Sequence, residues 1–334
     1  MQEPRTVHAA ARLKDGRVLL VGTAGVLPAE IYDPLKGTFA TTGSLTHSRT
    51  GPAAITLLDG RVLVVGAADE PDATDAGAEL YDPGSGKFTP TGRLAINRTG
   101  AAVTLLKDGR VLVAGGQDVR SGRYVASAEV LDPVSGKFAS TGSMKAAREN
   151  ATATLLSDGR ALIAGGDRGA AGPDQTILAT AEIYDPGSGK FSPAGSMTTE
   201  RVFHTATALS DGRVLITGGW SFRLGAQVSS AEVFDPNSGS FAATGSMTTS
   251  RGYHSAIRLL SGKVLVVGGL NQDSPVDGVA SADLYDPTTG VFALTGAMHE
   301  PRWSFTVTLL EDGEVLVAGS GGGGDYTSCE LYRP

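Results

Sequence analysis

The sequence predicts an all-β fold, a seven-bladed β-propeller with blades of four antiparallel strands and a three-stranded last blade. Three observations carry that prediction. Asp15-Gly16-Arg17-Val18-Leu19 recurs from Asp59, Asp108, Asp158, Asp211, Ser261 and Asp312, with changes at Ala161, Lys263 and Glu314. Tyr32-Asp33-Pro34 returns from Tyr81, Leu131, Tyr184, Phe234 and Tyr285, and in altered form as Tyr332-Arg333-Pro334. One arginine precedes each unit (Arg5, Arg49, Arg98, Arg148, Arg201, Arg251, Arg302), at intervals of 44, 49, 50, 53, 50 and 51 residues. A period near fifty built from short strands belongs to a propeller-type array.

The third unit shows how each element follows. Thr99 to Leu106 is small and apolar, and Lys107-Asp108-Gly109 turns the chain, because Asp-Gly between apolar runs favours a tight hairpin. Arg110 to Ala114 is a continuous apolar run, as expected of a strand covered on both faces by neighbouring blades. Ala126 to Leu131 makes a third strand, Asp132-Pro133-Val134-Ser135-Gly136 turns again, and Lys137 to Ser140 makes a fourth. These are strands A to D, with A innermost. The units run approximately 1–44, 45–93, 94–143, 144–196, 197–246, 247–297 and 298–334, forming one domain over 1–334. Strands A, B and C occur seven times and D six times. The four residues before Arg5 are too few to supply a seventh D, which predicts an exposed edge at Ser328 to Tyr332.

The units resemble kelch repeats. The resemblance rests on the arginine before strand A and on Gly-Gly closing strand B (Gly115-Gly116, Gly165-Gly166, Gly218-Gly219, Gly268-Gly269). It also rests on the acidic-x-Tyr-Asp of strand C and the aromatic of strand D. It spans essentially the whole chain and implies the kelch β-propeller fold. Departures fall at Gly22-Thr23, Ala67 and Ser320. Copper–radical oxidases of the galactose oxidase type share this seven-bladed look and need a Cys–Tyr cofactor with Tyr and His ligands. Cys329, beside Tyr326 and Tyr332, does not match that set.

Bulk properties narrow the function classes. Net charge is −7, and no basic tract offers a phosphate-tracking surface, so nucleic acid is not an expected partner. No apolar run reaches the eighteen or so residues of a membrane helix, so no membrane insertion is expected. The single Cys329 excludes an internal disulfide and reads as a buried, inert thiol. Met1 to Arg5 carries no signal peptide. A secreted or periplasmic location would require a removed leader, and the chain is otherwise cytoplasmic. A monomer is expected.

Antiparallel strands place the A–B and C–D turns on one face and the B–C and D–A loops on the other. The first face repeats the same turns. The second varies, from Thr23 to Pro28 in unit one to Asp167 to Thr180 in unit four, and it carries Trp220 and Arg223 in unit five. Binding residues sit on variable loops of a rigid scaffold, so a site is expected there. The seven arginines read as structural ion pairs with Glu30, Glu79, Glu129, Glu182, Glu232, Asp283 and Glu330, across a gap that Gly-Gly leaves without side chains.

The three residues after each arginine separate the units. Units two and three read Thr50-Gly51-Pro52 and Thr99-Gly100-Ala101. Bulky and polar residues collect elsewhere: His8, Glu149, Asn150, Phe203, His204, Tyr253, His254, Trp303 and Phe305. With Trp220 and Arg223 these are the candidate ligand-binding residues, an aromatic arc at the mouth of the channel. Filling of the channel is the alternative role for the same residues. His8, His204 and His254 share one repeat position, but their spread around the ring argues against a metal, and no cofactor is expected. Gly321 to Gly324 lacks the Lys-Ser/Thr of a phosphate loop. No catalytic residue is assigned. The leading expectation is a binding scaffold for a carbohydrate, peptide or protein. The alternatives are a carbohydrate-active enzyme using Glu149 with His204 or His254, and an engineered or reconstructed scaffold without a ligand.

Overall fold

The computed structural model describes residues 1–22, 28–49, 51–66, 77–169, 176–276, 278–320 and 326–334. Thr23, Thr50, Ala67, the Gly321–Gly324 run and part of the unit four loop lie outside these residues. Seven antiparallel sheets follow one another, six of four strands and the last of three, each in the order A-B-C-D from the centre. Blade three is typical: Ala102–Leu105, Val111–Ala114, Ala128–Asp132 and Lys137–Ser140. Blade seven comprises Thr306–Leu309, Val315–Ala318 and Cys329–Tyr332. Neighbouring A strands touch around the ring, the last against the first.

The apolar run of strand B becomes the core. Val18 to Leu20, Val62 to Val64 and Val264 to Val266 have no exposed surface, since each B strand is covered by two blades. Burying each such side chain contributes roughly 1.5–3 kcal/mol. Strand C adds a ring that packs on the strand D phenylalanine, as in Tyr81–Phe88 at 4.8 Å.

On the lower face the arginine opening strand B clips consecutive blades. Arg61, Arg110, Arg160 and Arg213 donate to the carbonyls of Pro133, Pro186, Pro236 and Pro287 in the next blade. The N-terminal residues close the ring. Arg5 N–H donates to Tyr326 O at 3.0 Å, and the Met1 ammonium to Thr327 O at 2.7 Å. Cys329 is half-buried rather than buried, because among the described residues no outer strand covers blade seven.

Short pairings above blades three to six were not anticipated. Arg98–Thr99 pairs with Gln117–Asp118, and single bridges join Glu149 to Asp167, Val202 to Trp220 and Gly252 to Leu270. They tie the residue after each arginine to the start of the B–C loop, and so fix the floor of the upper face.

Candidate functional site

The seven arginines lie beneath the upper face, each 0–1% exposed. Arg5–Glu30, Arg49–Glu79, Arg98–Glu129, Arg148–Glu182, Arg201–Glu232, Arg251–Asp283 and Arg302–Glu330 stand 2.8–3.3 Å apart. Each guanidinium also donates to the carbonyl of the first glycine after strand B, as Arg201 does to Gly218 O at 2.9 Å. Each carboxylate accepts a backbone N–H from three residues before its arginine, as Glu232 does from Thr198 at 2.8 Å. Burial pushes the Arg98, Arg148, Arg201 and Arg251 pKa values down, and the facing carboxylates oppose that shift. No charge of this ring is left for a ligand.

The residue two places after each arginine defines the mouth. Val7, Gly51, Gly100, Asn150, Phe203, Tyr253 and Ser304 all have φ between 49° and 65°. Five of the seven donate their N–H to the same position of the preceding blade. Gly51 N–H donates to Val7 O, Asn150 to Gly100 O, Tyr253 to Phe203 O, Ser304 to Tyr253 O and Val7 to Ser304 O, at 2.8–3.3 Å. The left-handed conformation aims these five N–H groups at the preceding blade. Glycine adopts it without strain, whereas valine and the aromatic residues are strained there.

The next residue points the other way. His8, His204, His254 and Phe305 are 6–7% exposed and pack against the glycines closing the preceding strand B. A Cβ on Gly165 would lie 2.6 Å from His204 Cε1, and one on Gly268 would lie 2.6 Å from Phe305 Cε1. Gly-Gly therefore makes room for this side chain. The imidazoles are held by threonine hydroxyls: His8 Nε2 with Thr306, His204 Nε2 with Thr152, and His254 Nε2 with Thr205 and Thr217, at 3.0–3.1 Å. Burial, with Arg5 and Arg201 adding, lowers His8 and His204 to about 3, and His254 falls well below its ordinary value. The structure thus places His8, His254 and Phe305 between blades rather than on the open mouth.

The aromatic residues on the mouth pack on one another. Phe203 and Tyr253 stack at 3.9 Å, and Tyr253 meets Trp303 edge-on at 6.2 Å. Trp303 Nε1 donates to Val276 O at 3.0 Å. Burial pushes the Tyr253 hydroxyl up to about 12, so it stays neutral. Trp220 is half-buried in a loop hairpin pairing Trp220–Ser221 with Ala226–Gln227. Arg223 is exposed on that loop, 3.8 Å from Glu200.

The open space lies beside this arc, over units two to four. A cavity of about 320 Å³ is lined by Gly51, Pro52, Gly66, Arg98, Gly100, Ala101, Asn150, Thr152, Phe203 and His204, among others. It exists because Pro52, Ala101 and Ala151 leave empty the volume that histidine or phenylalanine fills elsewhere. Units two and three read as featureless in the sequence, and their smallness is the signal that locates the cavity. Asn150 lines it with a side chain that makes no hydrogen bond among the described residues. Glu149 sits behind it. Its carboxylate accepts Thr99 Oγ1 at 3.1 Å and the Tyr124 hydroxyl, and burial, with Asp167 adding, raises its pKa.

Residues 98–145 and 152–198 match the Kelch motif. No curated protein matches the chain. Among solved structures it is similar to a novel fungal alcohol oxidase with catalytic diversity among the AA5 family, in complex with copper. That likeness has a TM-score of 0.79 at 20% identity and covers 100% of this chain and 75% of the other. In all, 912 solved chains match, so the likeness carries the fold and not an activity. The residues present do not fit a copper centre. The three buried histidines are spent on threonines in separate blades, and no group of three His, Cys, Asp or Glu residues among the described residues could hold a metal ion.

Proposed function

Because the chain is a kelch-repeat β-propeller, we propose that it is a binding protein taking a small neutral ligand, a mono- or disaccharide, into the cavity at its upper mouth. One observation carries this reading. The left-handed position is glycine in units two and three, which costs nothing, and Asn150, Phe203 and Tyr253 in units four to six. Each of those three costs on the order of 1–3 kcal/mol in backbone strain. Asn150 and Phe203 line the cavity, and strained backbone at a cavity rim is where a binding role repays the cost.

The chemistry of the lining supports a neutral ligand. Arg98 is neutralised by Glu129, His204 is held uncharged by burial, and the remaining donors and acceptors are the Asn150 amide, Thr152 and glycine backbone. An apolar ring face beside hydrogen-bonding groups suits a sugar. The volume lies at the lower end of small-molecule sites, about 300–1,000 Å³.

The test is a thermal-shift screen of neutral mono- and disaccharides against uronic acids, repeated on Asn150→Gly and Phe203→Gly. Glycine already occupies this position in two units, so both variants should fold. At about 100 times its dissociation constant a ligand stabilises by roughly 2.7 kcal/mol. A shift from neutral sugars that both variants abolish is the expected result. Stabilisation by uronic acids alone, or by nothing, would overturn the reading.

A carbohydrate-active enzyme is the second reading, and it is favoured by the raised pKa of Glu149 near the cavity. Against it, Glu149 is occupied by Thr99 and Tyr124. Turnover of a bound sugar that disappears in Glu149→Gln, with folding intact, would choose the enzyme.

A further inference from the structure

On the lower face, opposite the mouth, every turn between strands A and B carries Asp-Gly or Ser-Gly. The turns differ in the residue before that pair and in the residue that ends strand A. Blade one shows how these two positions meet. Arg12, the last residue of Ala9–Arg12, donates to Leu309 O at 3.3 Å and to Glu311 Oε1 at 2.9 Å, both on the preceding blade. Arg258 ends Ser255–Arg258 in the same register, opposite Val264 as Arg12 is opposite Val18. On the blade that precedes it, the positions of Leu309 and Glu311 are held by Ala208 and Ser210. No carboxylate stands there, and Arg258 makes no hydrogen bond or ion pair among the described residues.

A second cation is left over on the other side. Lys14 leans over the next blade and donates to Leu58 O. Lys107 holds the same turn position in blade three and leans on blade four, where a Cβ on Gly159 would lie 3.5 Å from Lys107 Cδ, but its ammonium has no partner among the described residues. Lys107 and Arg258 line one cavity of about 520 Å³, with Leu155, Ser157, Ala208 and Ser210 of blades four and five between them. The space exists because Ser157, Ala208 and Ser210 are small where other blades carry Leu58, Leu260, Leu105 or Leu309. The exposed Ser157 and Ser210 hydroxyls make no hydrogen bond among the described residues. The acids of these turns are already matched, Asp108 by Arg110, Asp158 by Arg160 and Asp211 by Arg213, at 2.6–2.7 Å. Two uncompensated positive charges therefore share this cavity on a chain whose net charge is −7.

We propose that this cavity is a second binding site, on the lower face, for a small organic dianion whose two negative groups, carboxylate or phosphate, stand apart. One group takes the Arg258 guanidinium, in the place that Glu311 fills against Arg12. The other takes the Lys107 ammonium, and the Ser157 and Ser210 hydroxyls donate to the oxygens between. The two cations come from blades three and six, on either side of the serines, so a ligand charged at both ends meets both. Leu155 and Ala208 give a short hydrocarbon spacer an apolar surface. Lys107 and Arg258 are exposed, so binding is weakened by salt. The site is separate from the upper cavity and does not depend on what binds there.

The experiment is isothermal titration calorimetry of the full chain at low ionic strength with succinate, glutarate and adipate, beside acetate and inorganic phosphate. The expected result is saturable binding of at least one dicarboxylate, about fivefold tighter than acetate because it meets two cations rather than one. Arg258→Gln and Lys107→Met should each weaken it by about fivefold. Ser210→Glu puts a carboxylate where Glu311 meets Arg12, so it should occupy Arg258 and abolish binding, whereas Ser210→Gln, of the same size without the charge, should retain it. These positions are exposed, so all four variants should fold. Asn150→Gly, at the upper cavity, should bind the dicarboxylate as the parent chain does. Equal affinity for acetate and every dicarboxylate, unchanged binding in Arg258→Gln, or full binding by Ser210→Glu overturns the proposal. So does a preference for inorganic phosphate over every dicarboxylate, since the ligand would then be a single compact anion.

Discussion

Phe203 and Tyr253 stack with their rings 3.9 Å apart and 20° from parallel, each on a left-handed backbone at φ 56° and 55°. The two effects oppose one another. An aromatic pair adds about 0.5–1.5 kcal/mol beyond its burial, and the strain costs on the order of 1–3 kcal/mol per residue. Tyr253→Gly is therefore expected to leave the urea midpoint nearly unchanged or raise it. A loss above about 3 kcal/mol would show that the stack is chiefly structural and leave the strain without a binding rationale.

The buried pairs predict a different response. Glu182→Gln leaves the Arg148 guanidinium without a counter-charge while keeping the size of the side chain. Breaking such a pair from one side costs about 3–5 kcal/mol. Chemical denaturation should show that loss with an unchanged m-value, and an unmoved midpoint would refute a structural role for these pairs.

The histidines predict an acid limit. Burial holds His8 and His204 at about 3, against 6.5 for an ordinary histidine. Between those values the unfolded chain binds protons that the folded chain refuses, so stability falls as pH drops from about 6 toward 4. The slope is up to about 1.4 kcal/mol per pH unit for each histidine. His204→Gln should flatten the slope above pH 4.5, where carboxylates contribute little, and a parallel curve would contradict the assignment.

Two glycines with nearly the same backbone separate crowding from conformation. A Cβ on Gly218 (φ 61°) would lie 2.4 Å from Arg251 O and 2.6 Å from His254 Cε1, whereas a Cβ on Gly37 (φ 64°) meets nothing within 4 Å. Gly37→Ala should cost about 1 kcal/mol, and Gly218→Ala well over about 2 kcal/mol, because blade five must shift away from blade six. Comparable midpoints for the two variants would show that the Gly-Gly step is conformational only.

The sequence by itself determined the blades. Asp-Gly and Asp-Pro turns, unbroken apolar runs for strand B and one arginine per unit are local signals, set by turn geometry and by the burial that a two-sided strand needs. The floor pairings such as Arg98–Thr99 with Gln117–Asp118 had no such signal, because two residues carry no period. The arginine–acid spacing was legible because Gly-Gly has no side chain to separate the partners. Only the tertiary structure decided which side of each short segment faces the mouth. Residues two and three after the arginine are adjacent in sequence, yet a left-handed backbone sends Tyr253 to the rim and His254 between blades. It also decided that the cavity lies over Gly51, Gly100 and Ala101, where the sequence is plainest. Empty volume arises from what neighbours some fifty residues away fail to fill, and the closed ring sets that arrangement.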